Sequence, residues 1–198
     1  MLTFDADKHE YRYSGRPVPH VTGVLADLSD WSRIPPDTLY RAQQEGVAIH
    51  KMVELDVAGE IDPGDMESLP IWLRPRYTAW RRFLNDRDFR AVGSERRVYH
   101  DRYRYAGTLD LVGYMGSSEW TFIDVKRSLY GGRVTGLQLA AYEEAYRHVL
   151  KAPKSQPSTR YALQLKDDGG YRLVPFTNKN DFTVFLACLT RHHFMESA

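Results

Sequence analysis

Three strand-like runs follow one another in the middle of this chain with almost nothing between them: Ser94–Tyr103, Tyr105–Met115 and Glu119–Arg127. Turn residues at Asp101-Arg102 and at Gly116-Ser117-Ser118 separate them, a pattern that predicts an antiparallel meander. Leu137–Leu150 then reads as a helix. Tyr161–Lys166 and Tyr171–Val174 form a hairpin around Asp167-Asp168-Gly169-Gly170, and Asp181–Phe194 reads as a closing helix. A meander followed by helix, strand and helix predicts an α/β fold with a mixed central β-sheet flanked by helices.

An N-terminal helical region precedes the meander. Leu2–Val18 reads as a short hairpin turning at Asp5-Ala6-Asp7, and Val21–Leu28 as a short helix capped near His20 and Thr22. Pro35-Pro36-Asp37 marks a helix start, with proline tolerated in the first turn and an acid near its positive end. That helix runs to Ala58 and stops at Gly59. A further helical stretch, Glu67–Asp88, is interrupted at Pro75 and carries Tyr77, Trp80, Phe83 and Leu84 at helical spacing. Ala152–Ser158 is a proline-containing loop. No internal repeat divides the 198 residues, which suffice for one domain with a full core: an N-terminal part over 1–90 and a core over 91–198.

The one cysteine, Cys188, excludes an internal disulfide framework and any four-cysteine zinc or iron–sulfur site. Its setting, Phe185-Leu-Ala-Cys-Leu189, predicts a buried, inert thiol. No charged-then-apolar leader opens the sequence and no apolar run nears the roughly 18 residues of a spanning helix. A cytoplasmic protein off the membrane is the expectation. Net charge is only +1, but it is uneven: ten arginines lie between Trp72 and Arg104 against four acids. Such a stripe is either a solvated face or an attractor for a polyanion.

Strand alternation places Ala106, Thr108 and Asp110 on one side, opposite Gly107, Leu109 and Leu111. In the next strand Phe122, Asp124 and Lys126 share a face opposite Ile123 and Val125. An antiparallel neighbour brings Asp110 beside Asp124 and Lys126. Two carboxylates there suit a hard cation. Such a cation polarises a phosphoryl group and lowers the pKa of a bound water. Lys126 is then placed to orient that water or to neutralise charge on the phosphorane. The plainer reading is a surface Asp and Lys at a strand end.

Upstream, Gly46, His50 and Glu54 recur every fourth residue and so share one stripe of their helix. Gly46 costs about 1 kcal/mol of helix propensity against alanine, which close approach of a phosphate or of another backbone would explain. His50 sits between Ile49 and Val53 as either a metal ligand or a partly buried histidine bonded to a carbonyl. Glu54 is in range to hold the other ring nitrogen. The same His-x-x-x-Glu spacing at His192 and Glu196 stands beside no other site feature.

In order along the chain stand Gly46/His50/Glu54, Glu95, Gly107–Asp110, Asp124–Lys126 and Gln138–Tyr142. This order resembles the RecB-type branch of the PD-(D/E)xK nuclease superfamily and covers about half the chain. The resemblance implies a restriction-endonuclease-like core and a Mg²⁺- or Mn²⁺-dependent deoxyribonuclease. His50, Asp110, Asp124 and the carbonyl of Val125 would ligate the metal and Lys126 would be catalytic. Gln138 and Tyr142 would brace Lys126 or the scissile phosphate, unless they are a polar helix residue and a core tyrosine. Glu95 would be a second-metal ligand or a strand-edge charge.

The segment Pro19-His-Val-Thr-Gly-Val-Leu25 is similar to the P-S-V-T-x-I-L stretch of mitochondrial genome maintenance exonucleases and related phage nucleases, with His20 in place of serine. Leu109 stands where the family carries proline. An exonuclease acting on DNA ends or single strands, within replication, recombination, repair or phage DNA metabolism, is the implied role. No Walker motif is present, so any unwinding would come from a recombination or replication partner. Backbone contacts would come from Arg74, Arg76, Arg81, Arg82, Arg96 and Arg97, and bases would stack on Trp72, Tyr77, Trp80 or Tyr103 where these are not core. The rival readings are an inert nuclease-fold adaptor for DNA or protein, and a structure-selective nuclease.

Overall fold

Alternating side chains and tight turns form a small antiparallel sheet at the start of the chain: β1 (Leu2–Asp5), β2 (Glu10–Tyr13) and β3 (Arg16–Val18). The computed structural model describes residues 1–29, 32–116, 119–129, 132–153 and 155–196. The expected hairpin is therefore a three-stranded sheet, because Ser14 (φ 49°) and Gly15 (φ 79°) turn the chain a second time. A single helical turn, α1 (Val21–Val24), and a 3₁₀ turn, Ala26–Leu28, follow.

Helix α2 (Pro36–Val57) begins on its proline, and Gly59 at φ 75° ends the run, as the sequence predicts. Helix α3 (Arg74–Arg87) departs from expectation. Pro75 lies in its first turn, where a missing N–H costs nothing, so it starts the helix rather than interrupting it. Residues Met66–Ser68 form a separate 3₁₀ turn.

The main sheet has five strands in sequential order: β4 (Phe89–His100), β5 (Tyr105–Met115), β6 (Trp120–Lys126), β7 (Ser158–Leu165) and β8 (Tyr171–Pro175). All neighbours are antiparallel except β6 and β7. Helix α4 (Gly132–Leu150) makes the crossover that a parallel pair requires. The chain is thus α/β with a mixed sheet, closed by α5 (Asp181–Glu196). Helix α4 begins five residues before the sequence-based start, and β4 begins at Phe89 rather than Ser94. Ser117 and Ser118 of the expected β5–β6 turn lie outside the described residues. No helix among the described residues is long and apolar enough to cross a membrane.

β5 and β6 are buried on both faces, as near-continuous apolar runs demand. One core packs Ile49 and Met52 of α2 and Tyr77, Trp80 and Phe83 of α3 against Leu111, Ile123 and Val125. The other packs Leu139 and Tyr142 of α4 and Phe185 of α5 against Tyr105, Leu109 and Phe122. Leu109 and Leu111 thus enter opposite cores, although strict alternation puts them on one side. The regular pleat fails between them, at Asp110. Cys188 is half-buried against the second core rather than sealed within it.

Candidate metal centre

β5 and β6 pair from Tyr114↔Trp120 as far as Leu111↔Ile123, and the ladder stops there. β6 itself stays straight, because its pairing with β7 continues to Lys126↔Gln164. The strands therefore part at the level of Asp110 and Asp124. The Val125 N–H freed by the parting donates to Asp110 Oδ2 at 2.8 Å, so a side chain replaces the missing rung. On the other side of β5, Val92 is an extra residue that shifts the β4 register. Glu95 falls between the pairs Ser94↔Leu111 and Arg96↔Leu109, opposite Asp110, with a left-handed φ of 48°. A glutamate in that conformation inside a strand is a strained residue.

The parted strands open a cleft of about 270 Å³, lined by His50, Glu95, Asp110, Asp124, Lys126, Gln138 and Tyr142. Helix α2 delivers His50. Its Nε2 donates to the Val125 carbonyl at 2.8 Å, and its Nδ1 lies 3.3 Å from Glu95 and 3.7 Å from Asp110. Both readings of His50 are thus present together, a carbonyl bond and a place among the acids. The ring nitrogen anticipated for Glu54 is met by Glu95 instead. Glu54 pairs with Lys51 one turn back on the solvent side of α2. Nothing lies within 4 Å of a Cβ built on Gly46, so no neighbouring backbone accounts for that glycine.

Helix α4 supplies the other wall. Gln138 Nε2 donates to Asp124 Oδ1 at 2.9 Å, so it braces the acid rather than Lys126. Tyr142, one turn on, is both core and cleft lining. A Cβ on Gly107 would lie 2.5 Å from its Cε1. The glycine three residues before Asp110 thus exists to admit the tyrosine, and the two motifs are one contact.

Charge within the cleft is unbalanced. Burial pushes the Asp124 carboxyl up to about 6 against the pull of Lys126, and burial raises Asp110 as well. Burial disfavours charge on His50, but Asp110, Glu95 and Asp124 outweigh it and hold the imidazole up at about 9. Lys126 is half-buried, and Asp124 and Asp110 outweigh its desolvation and keep it cationic, with Nζ 2.8 Å from Asp124 Oδ2. That contact is an ion pair without hydrogen-bond alignment, and Oδ2 remains a buried acceptor with no hydrogen bond. One ligand atom from each of His50, Glu95 and Asp110 lies within 4.8 Å of the others. Three carboxylates and one imidazole at this spacing are donor types that suit a divalent cation of the Mg²⁺ or Mn²⁺ kind.

No protein-family model matches this chain, and no curated protein matches it significantly.

The arginines named for backbone contacts are not all at the surface, and most already have protein partners. Arg76 is buried and donates to the Leu165 carbonyl, so it is not free to touch DNA. Arg74 holds the carbonyls of Leu69 and Glu67, and Arg81 pairs with Asp56. Arg82 pairs with Asp86 across one helical turn. Arg96 folds back over Gly93 to the Val92 carbonyl. Arg97 lies over the Phe4 ring at 5.2 Å, and Phe4 packs on cleft-lining Tyr11. Tyr77 and Trp80 are core, whereas Trp72 is partly exposed.

Sequence reasoning missed part of the cleft. His9, Tyr11 and Thr22 line it, together with His20. The Pro19 carbonyl accepts from Ala106 N–H at 2.9 Å and docks the N-terminal sheet onto the start of β5. From sequence, His20 reads only as a helix cap and as a replacement for serine in the Pro19–Leu25 stretch. Nothing in the local pattern announced that a distant hairpin closes the site.

Proposed function

We propose that this chain is a divalent-cation-dependent deoxyribonuclease of the PD-(D/E)xK type, with a restriction-endonuclease-like core. One observation carries the reading: His50, Glu95, Asp110, Asp124 and Lys126, drawn from four elements, converge where β5 and β6 part. A Mg²⁺ or Mn²⁺ held by His50, Asp110, Asp124, Glu95 and the Val125 carbonyl would polarise a phosphoryl oxygen and lower the pKa of a bound water. Lys126 enters as an ammonium and neutralises charge that grows on the phosphoryl oxygens. Gln138 fixes the Asp124 carboxylate plane, leaving Oδ2 to the Lys126 ammonium. His50 gives up a proton to bind a cation, so binding is coupled to pH.

An exonuclease on DNA ends or single strands is favoured by the resemblance at Pro19–Leu25. The N-terminal sheet and α4 both contribute to the lining of the cleft. DNA is then the substrate, and a replication or recombination protein would supply any unwinding. The test incubates the purified chain with end-labelled single- and double-stranded DNA in Mg²⁺, Mn²⁺ or chelator, beside Asp124→Ala. Cation-dependent degradation absent from the variant is the expected result, and the product ladder gives polarity. DNA binding without cleavage in either cation would replace this reading with the inert adaptor.

A further inference from the structure

His20 is held more tightly than a loop histidine needs to be. Its Nδ1 accepts the Gly23 N–H at 3.1 Å and lies 3.0 Å from the Thr22 hydroxyl. A backbone N–H can only donate, so Nδ1 is unprotonated and the ring proton sits on Nε2. Burial pushes the ring down to about 4, which keeps this tautomer neutral. The ring lies over Gly23, where a Cβ would stand 2.8 Å from Nε2. His9 packs edge-on against it at 4.8 Å, and Tyr11 lies at 5.7 Å. Cap, floor and edge together fix the imidazole in the wall of the cleft that carries the acids. Nε2–H has no protein acceptor among the described residues.

A preorganised neutral donor beside a cation site is matched to a ligand that only accepts. Phosphate oxygens accept and never donate, whereas base edges do both. We propose that His20 is a substrate-binding residue whose Nε2–H holds a non-bridging oxygen of the phosphate next to the scissile one. This rests on the nuclease reading above. The acids and their cation take the reacting phosphate, and the N-terminal sheet takes its neighbour. Serine or asparagine at this position would preserve the cap but not reach as far as Nε2.

The experiment compares the native 198-residue chain with His20→Asn, His20→Ser and Gly23→Ala. Binding of a short labelled oligodeoxythymidylate is followed in Ca²⁺, and Mn²⁺-dependent cleavage is followed separately. His20→Asn and His20→Ser should bind about three- to tenfold more weakly, the scale of one neutral hydrogen bond. KM should rise in step, while kcat, melting temperature and Mn²⁺ half-saturation stay native. Gly23→Ala, which displaces the ring, should reproduce the loss with His20 intact. Native affinity in His20→Asn, a loss confined to kcat, or a loss that tracks melting temperature would each overturn the proposal. If the native chain binds but never cleaves, the nuclease reading falls while the binding comparison still decides the role of His20.

Discussion

Two groups of side chains among the described residues have the composition of a metal site, and they differ in burial, charge and geometry. His50, Glu95 and Asp110 stand at a gap between strands, two acids and one histidine, with Asp124 adding a third carboxylate. His100, Asp101 and His148 stand at the β4–β5 turn and the end of α4. There the imidazoles stack at 4.1 Å with planes 19° apart, so their lone pairs run nearly parallel and do not converge. His148 Nε2 is already 2.6 Å from the exposed Asp101 carboxylate. Burial, helped by His148, pushes His100 down to about 4, whereas the acids hold His50 up at about 9. Proximity of donors is common. A surplus of buried negative charge with converging donors is what asks for a cation.

The comparison breaks most readily at the acids. Asp110→Asn or Asp124→Asn should remove cleavage by about a thousandfold or more, and Asp101→Asn should not. Without cation, either buried substitution should raise the melting temperature, since one of two crowded carboxylates is gone. A fall instead would recast these acids as structural. Lys126→Ala should slow turnover by roughly 10² to 10³, about 3–4 kcal/mol of transition-state stabilisation. Wild-type turnover would take Lys126 out of the chemistry. His50→Ala should move Mn²⁺ half-saturation of activity by about tenfold or more, with His148→Ala leaving the titration in place. Equal shifts would erase the distinction between the two groups.

Acidity separates the groups in opposite directions. His50 has a folded pKa above its ordinary 6.5, so its contribution is full below that value and fades as pH climbs toward about 9. His100 has a folded pKa below 6.5, so its contribution is full above that value and fades as pH falls toward about 4. Melting curves of the cation-free chain should therefore lose their alkaline decline in His50→Gln and their acid decline in His100→Phe. Mn²⁺ should flatten only the alkaline side. The smallest effect belongs to Glu54→Ala, which should stay within about 0.5 kcal/mol of native stability and leave the Mn²⁺ titration unchanged.

Much of this arrangement was legible because it is written in local periods. The meander, the α2 boundaries at Pro36 and Gly59, and the pairing of Asp124 with Lys126 all follow from alternation and turn chemistry. What escaped depended on contacts remote in sequence. Glu95 rather than Glu54 reaches His50 because β4 is bulged at Val92 and kinked at Glu95 itself, features without a local signature. Arg76 left the arginine stripe for the same reason, having found a carbonyl on β7, and Arg81 found Asp56 on α2. Charge counts see residue types and not partners.

The left-handed backbone at Glu95 bears on how such a protein evolves. Holding a long side chain there costs on the order of 1–3 kcal/mol, and glycine or asparagine would relieve part of it. Selection for thermal resistance alone should therefore find position 95 early. The variants it favours would be sturdier and, lacking the carboxylate beside His50, poorer at holding a cation. On the proposed function, glutamate at position 95 would be kept only while the cleft holds its cation, which would make this one residue an indicator of whether a lineage still uses it.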